Sequence, residues 1–312
     1  MRRIMERYRF IGAVLLLLPA LVFGQAKVGT AAAQFLEIPV SARSVGMGDA
    51  FLATANDVSA VYYNPAGLTN LTRREVGFTH NIWVAGISHD FAAFALPVRR
   101  LGGVLGISAI ALTTGDMVER TIGQPEGTGR TFTASDLAVG ITYSRKMTDR
   151  FSAGITWKYI GEYYADVKSH SWAADVGALY VTDFNGMRIG MNMSNFGPDI
   201  TMLKNAYPLP MAFNAGLAME AIESGPHKLT VGWNWSHPND NLEKFQVGTE
   251  YWLDDMFAFR VGYKFGAWDA DRFSVGIGTK IPVSTTTFKV DYAFSEMQEL
   301  RFVHRFSLGA EF

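Results

Sequence analysis

The sequence predicts an all-β fold: a transmembrane antiparallel β-barrel of about 14 strands, closed around a plug made by its own amino-terminal segment. Three observations carry this reading. From residue 75 onward the chain repeats stretches of about ten residues in which apolar and polar side chains alternate, so that each strand has one greasy wall. The polar face of those stretches repeatedly carries glycine near mid-strand: Gly140, Gly154, Gly177, Gly190, Gly216, Gly232, Gly248, Gly262, Gly276 and Gly309. The last stretch alternates Phe306, Leu308, Ala310 and Phe312 against Ser307, Gly309 and Glu311, and finishes on an aromatic ring. A soluble β-sandwich would also alternate, but with a charged outer face. Glycine weakens a strand interior unless something must approach the backbone, so a row of glycines points to a lumen with an occupant.

In chain order, residues 1–24 read as an export leader. Arg2, Arg3, Arg7 and Arg9 precede the apolar run 10–18, and Val22 and Gly24 occupy the positions before a cleavage site that would leave Gln25 as the first residue. That run is shorter than the ~20 residues a spanning helix needs. Residues 25–72 form the expected plug. Their centre, 35–68, holds Pro39, Gly46, Gly48, Pro65 and Gly67, charges of both signs and no strand period. Asn56 and Asp57 suit the cap of a short helical turn over 58–63, which Pro65 would stop.

Residues 73–312 form the barrel. Strands are expected near 75–80, 87–96, 102–112, 134–145, 151–163, 171–181, 187–195, 211–220, 227–236, 243–252, 257–266, 272–281, 287–295 and 301–312. The long breaks 113–133 and 196–210 fall on odd-numbered connections, as long outer loops should when both ends of the barrel face the periplasm. Trp157, Tyr159, Trp233, Trp235, Tyr251 and Trp252 would fit aromatic girdles at the membrane surfaces.

Composition narrows the function. The chain has no cysteine, which removes disulfides and thiolate chemistry, and a net charge of −1, which removes bulk attraction to nucleic acid. No catalytic constellation, cofactor motif or metal-ligand spacing emerges from the six scattered histidines, so the protein reads as non-enzymatic. Ser88, His89 and Asp90 are consecutive in a strand and so cannot converge as a triad. The G-x-G of Gly46-Met47-Gly48-Asp49 stands alone and suits tight packing better than a phosphate loop. The lumen face would carry Lys158, Asp175, Arg188, Glu250, Arg260, Lys264, Lys280, Lys289, Asp291 and Glu311. Such charges either pair with one another and with Glu37, Arg43, Asp49 and Asp57 of the plug, or present a partner or ligand surface.

Three elements of the plug, Ser41-Ala42-Arg43, Gly46-Met47-Gly48-Asp49 and Asn64-Pro65-Ala66-Gly67, resemble the amino-terminal signature of the PorV/PorQ family, itself similar to the FadL fatty-acid transporters. The resemblance implies a 14-stranded barrel in the outer membrane of a Gram-negative bacterium, surrounded by outer-membrane lipid, with Arg43, Gly46, Gly48, Asp49, Asn64, Pro65, Ala66 and Gly67 as its hatch motif. For function it implies, first, an adaptor or shuttle for type IX secretion, partnered by secretion components or cargo carboxy-terminal domains. The alternative it implies is a passive transporter of hydrophobic ligands, with a gap in the wall near the glycine-rich third strand at Gly102, Gly103 and Gly106.

Overall fold

The computed structural model describes residues 28–266, 272–297 and 302–312; the leader expected over 1–24 lies outside them. Fourteen antiparallel strands close into one barrel. They are β1 (Glu75–Ile82), β2 (Ser88–Val98), β3 (Gly103–Thr113), β4 (Ala134–Lys146), β5 (Phe151–Tyr164), β6 (Val167–Val181), β7 (Arg188–Phe196), β8 (Ala212–Ser224), β9 (His227–Pro238), β10 (Lys244–Leu253), β11 (Phe257–Phe265), β12 (Phe273–Val283), β13 (Thr286–Glu296) and β14 (Phe302–Glu311). Each pairs with its neighbours in sequence, and β1 closes on β14 from Glu75↔Glu311 to Ile82↔His304. Closure satisfies every ladder and leaves no edge, which lipid requires.

Period-two patterning decides which way the strands face. In β11, Phe257, Phe259, Val261, Tyr263 and Phe265 are exposed while Ala258, Arg260, Gly262 and Lys264 are buried. Phe78, Ile107, Ile141, Val176, Leu217, Ile277 and Leu308 continue that apolar exterior around the wall. An aqueous protein would not leave such a belt uncovered; here it is the lipid-facing surface. Trp252 departs from the expected girdle. It is buried, faces the lumen, and lies beneath Lys280, whose Nζ is 4.1 Å from the ring centroid. Its even position in β10 puts it on the polar side of the pleat. Trp157 and Tyr159 face outward but at mid-strand, where Trp157 stacks on Trp172 at 4.5 Å.

We call the end where β1 begins and β14 finishes the near end. Arg74 and Phe312 exchange two backbone hydrogen bonds there, of 3.1 and 2.9 Å. Odd connections lie at the far end. Two of them hold small ribbons, Met117–Val118 with Thr131–Phe132 and Ile200–Met202 with Asn205–Tyr207. The β5–β6 connection breaks the long-loop rule, because these two strands are themselves the long element and meet in a tight turn at Ala165, φ 51°. The expected gap at the third strand is absent. β3 pairs with β2 and with β4 at every residue, and Gly106 instead leaves room for Val61 and Leu68 of the plug. Register shifts occur elsewhere, at Ala174/Val176 against β7 and at Glu220/Ile222 against β9.

The plug fills the near half of the lumen. It contains a 3-10 turn (Gln34–Glu37), helix α1 (Ala42–Gly46), helix α2 (Ala60–Tyr63) and a second 3-10 turn (Pro65–Asn70). The helix expected over 58–63 is shorter, and Asn56 does not cap it: Asn56 Oδ1 accepts from Arg43 instead. Asp57 Oδ1 accepts from the Ser59 amide at 2.9 Å, which starts the turn. Phe35, Leu36, Val40, Met47, Phe51, Val58, Val61 and Leu68 bury their side chains against Phe91, Val104, Ile110 and Ile160 of the wall.

Candidate functional site

The glycine row is the seat of the plug. As the plug chain runs forward it passes successive strands in reverse: Gly46 lies on Gly276 of β12, Gly48 on Gly262 of β11, and Met47 on Gly248 of β10. Ala50 then lies on Gly232 of β9, Leu52 on Gly216 of β8 and Gly190 of β7, Asn64 and Pro65 on Gly177 of β6, and Pro65 and Ala66 on Gly154 of β5. A methyl group on these wall glycines would fall on plug atoms, most severely on backbone at Gly232, Gly248 and Gly262; at Gly216 it would strike Asn234 Oδ1 of the wall before it reached Leu52. Register makes the row continuous, since Gly190↔Gly216, Gly232↔Gly248 and Gly248↔Gly262 face each other. Gly140 and Gly309 are exceptions, where the atoms nearest to an added Cβ belong to the barrel.

An irregular segment in a lumen has backbone groups that no ladder satisfies, and side chains supply the partners. Asn192 Nδ2 donates to Tyr63 O at 2.6 Å and Asn234 Nδ2 to Asp49 O at 2.6 Å. Ser144 Oγ donates to Pro65 O at 2.5 Å, and the Ala42 amide donates to Ser307 Oγ at 3.0 Å. Asn64 joins three segments. Its Oδ1 accepts from the Ala66 amide, capping the second 3-10 turn, while its Nδ2 donates to Leu52 O and to Ala178 O of β6. Gly67 is confined because a Cβ there would meet Ala55 O, and Gly48 combines φ 61° with close contact to β11.

Charges lock plug to wall. The Arg43 guanidinium forks onto Glu250 with two bonds of 2.7 Å and reaches Asp57 at 2.9 Å and Asn56 at 2.6 Å. Arg260 bonds the same Glu250 at 2.7 Å and Asp291 at 2.6 Å. Lys264 meets Asp49 of the plug at 2.5 Å, while within the wall Lys289 meets Glu75 at 2.9 Å and Glu311 at 3.3 Å, and Arg188 meets Glu220 at 2.5 Å. Lys158 is buried against Asp175 at 2.8 Å and Asn195 at 2.5 Å, beside the β6–β7 register shift. Lys280 packs on Trp252 rather than on a carboxylate. Burial works against the charge on Arg43, but Glu250 and then Asp57 outweigh it and hold its pKa above the ordinary value. Burial likewise pushes Asp57 up, and Arg43 followed by Lys289 more than offsets this, leaving it below the aspartate range.

Above the plug, the far half of the lumen holds a cavity of about 840 Å³. Residues 29–39 rise into it as one wall: the Ala32 amide donates to Pro208 O, the Ala33 amide to Glu162 Oε1 and Gln34 Nε2 to Asp240 Oδ2. Its lining mixes apolar side chains, Leu36, Ile38, Leu52, Trp83 and Leu112, with the polar Asn192, Asn214, Asn234, Ser236 and Gln246. Tyr62 and Tyr63 form part of the floor. Burial raises both phenols above the usual tyrosine range, assisted by Tyr63 and Asp49 at Tyr62 and by Asp49 at Tyr63, so both stay neutral. Tyr62 donates to Leu36 O at 2.9 Å. Of the charged residues singled out from sequence, Glu37, Asp49, Lys158 and Lys264 line this cavity; Arg43, Glu250, Arg260, Asp291 and Lys289 belong to the lattice beneath it. No sequence motif marks Asp136, Glu162, Asn192, Asn234 and Gln246, although Glu162 shares the inward parity of Lys158. The trio at the start of β2 separates as the pleat requires: His89 is buried, whereas Asp90 pairs outside with His80 at 2.7 Å.

Residues 20–136 match the model of an uncharacterised protein family, UPF0164. No curated protein sequence matches the chain. Among solved structures, the CymD monoaromatic hydrocarbon channel superposes with a TM-score of 0.60 at 12% identity, covering 88% of this chain and 97% of its own. The toluene transporter TbuX of Ralstonia pickettii gives 0.57 at 14% identity, covering 86% and 96%. A FadL homologue of Pseudomonas aeruginosa gives 0.55 at 12% identity, covering 88% and 98%. At such identities the shared property is architecture, and the architecture of this chain is that of a FadL-like β-barrel.

Proposed function

We propose that the protein is a non-enzymatic, passive transporter of small hydrophobic molecules in the outer membrane of a diderm bacterium, its near end toward the periplasm. The carrying observation is the cavity of about 840 Å³, open in the far half of the lumen and floored by the plug. That volume lies within the ~300–1,000 Å³ of small-molecule sites, and Leu36, Ile38, Leu52, Trp83 and Leu112 in its lining offer contacts to an alkyl or aromatic group. An open diffusion pore does not suit a lumen filled across its near half. The hydrocarbon channel and toluene transporter of like fold support this reading. The secretion-adaptor role implied by the PorV/PorQ resemblance draws no comparable support, and the modest far-end loops offer little surface for gripping a cargo domain. On this reading residues 1–24 are the leader, 25–72 the hatch, and Arg43, Gly46, Gly48, Asp49 and the Asn64–Gly67 stretch its seat.

The test is uptake of a naphthalene-type fluorescent hydrocarbon by cells carrying the protein against cells lacking it. Asn214, half-buried on the cavity wall, gives the obstructing variant. Asn214→Trp is expected to cut protein-dependent uptake at least ~5-fold while the barrel still assembles, because a site filled by its own side chain has no room for a ligand. Uptake unaffected by the protein would refute the transporter reading.

A further inference from the structure

We infer that the cavity recognises one end of an amphipathic ligand with hydrogen-bond acceptors, and that this end is a donor, a hydroxyl or a protonated amine, rather than a carboxylate. The inference rests on the reading that the cavity receives a small hydrophobic molecule, and it specifies the head group of that molecule.

Three buried oxygens of the cavity lining have no hydrogen-bond partner among the described residues: Asp136 Oδ1, Glu162 Oε2 and Asn192 Oδ1. All three are acceptors, and the residues that carry them are only 2–6% exposed. The asparagine oxygen is fixed by chemistry, because its amide nitrogen is already committed to Tyr63 O of the plug. Buried acceptors without donors are costly, and a wall carrying several of one kind is matched by a ligand that supplies the other.

Charge points the same way. Asp136 and Glu162 face each other directly across the β4–β5 ladder. Glu162 Oε1 accepts from the Ala33 amide and the Tyr164 hydroxyl, but no lysine or arginine of the described residues forms an ion pair with either carboxylate. Among the lysines that line the cavity, Lys158 is held by Asp175 and Asn195, and Lys264 by Asp49. Lys244 stands at the far tip of β10, facing Ser236 of β9 and many strands away from β4 and β5. A ligand carboxylate would bring more acceptors and a third negative charge to this pair. An ammonium or hydroxyl would bring donors, with its apolar part lying against Leu36, Ile38 and Trp83.

The test uses the full protein in lipid nanodiscs, with empty nanodiscs subtracted, and four fluorescent probes that share one ring system: 2-methylnaphthalene, 2-naphthylmethanol, 2-naphthylmethylamine and 2-naphthoate. The alcohol, the amine or both are expected to bind at least about tenfold more tightly than the hydrocarbon and the carboxylate. The amine leads if the acidic pair is charged, the alcohol if the two carboxyls share a proton. The near-isosteric pair Asp136→Asn with Glu162→Gln should bring the amine down to the level of the hydrocarbon and improve binding of naphthoate. Naphthoate binding as tightly as the alcohol and amine to the wild-type protein would overturn the inference, as would a double variant in which the amine does not fall and naphthoate does not rise. The wild-type ranking alone decides the matter if that variant does not fold. Equal binding of all four probes overturns the head-group inference and leaves the transporter reading standing, whereas binding of none overturns both.

Discussion

At the residue scale, the wall glycines show what one missing methyl group does. Gly262 and Gly309 belong to the same inward face of the same barrel, yet a Cβ at Gly262 would strike the backbone of Met47 and Gly48, while the nearest atom at Gly309 is Val76 O at 3.4 Å. Backbone cannot move aside as a flexible side chain can. Gly262→Val is therefore expected to unseat the plug, at a cost of about 1–3 kcal/mol or more from overpacking. Gly309→Ala should be close to neutral. Protease sensitivity of residues 40–60 in the folded barrel measures the difference; equal resistance in the two variants would remove the glycine row from its role as a seat.

At the element scale, plug and barrel are unequal partners. The barrel strands satisfy one another through continuous ladders, and the plug holds only short helical turns that could not stand alone in water. Its shape is imposed by the wall, through side chains such as Asn192 and Asn234 that take up its free carbonyls. Deleting residues 35–68 should leave a barrel that still migrates as a folded species in cold detergent gels and should raise single-channel conductance severalfold. Conductance equal to that of the intact protein would mean that the segment does not obstruct the lumen. Several element-level features were legible in the sequence. β11 reads off its own alternation, and β5 does so over residues 151–159. The two-residue β5–β6 turn was not legible, because no turn motif marks Ala165 and Asp166, and the length of the paired strands decides where the chain reverses.

For the whole molecule, the ion lattice makes plug and wall one object. Arg43 is the plug cation that meets Glu250, and Arg260 carries the contact on to Asp291 of β13. Removing one partner of a buried pair costs about 3–5 kcal/mol, because the charges left behind lose compensation. Arg43→Met should therefore lower the thermal midpoint of the protein and loosen the plug, and Arg43→Lys should not rescue it, since an ammonium cannot fork onto Glu250. The pH dependence has a definite sign. Asp57 has a folded pKa depressed below its unfolded value, so its contribution is fully present above about pH 4 and is lost as pH falls through the folded value. The difference in plug release between the wild-type protein and Asp57→Asn should be flat through neutrality and shrink only in acid; a difference that begins to vanish near pH 6 would contradict this assignment.

The sequence by itself determined the barrel, its approximate strand count, the direction each strand faces and the presence of something inside. These follow from the pleat, which turns successive side chains to opposite faces and so writes both walls into any ten residues. It did not determine which glycine meets which plug residue, that Glu250 answers Arg43 from 207 positions away, that Trp252 faces inward under Lys280, or that β3 is unbroken. Nor did it bring Asp136, Glu162, Asn192, Asn234 and Gln246 around one cavity, although each sits at a readable inward position. Only closure of the ring fixes the register between distant strands and the height at which the plug crosses them, and the acceptor-lined chamber is a property of that closure.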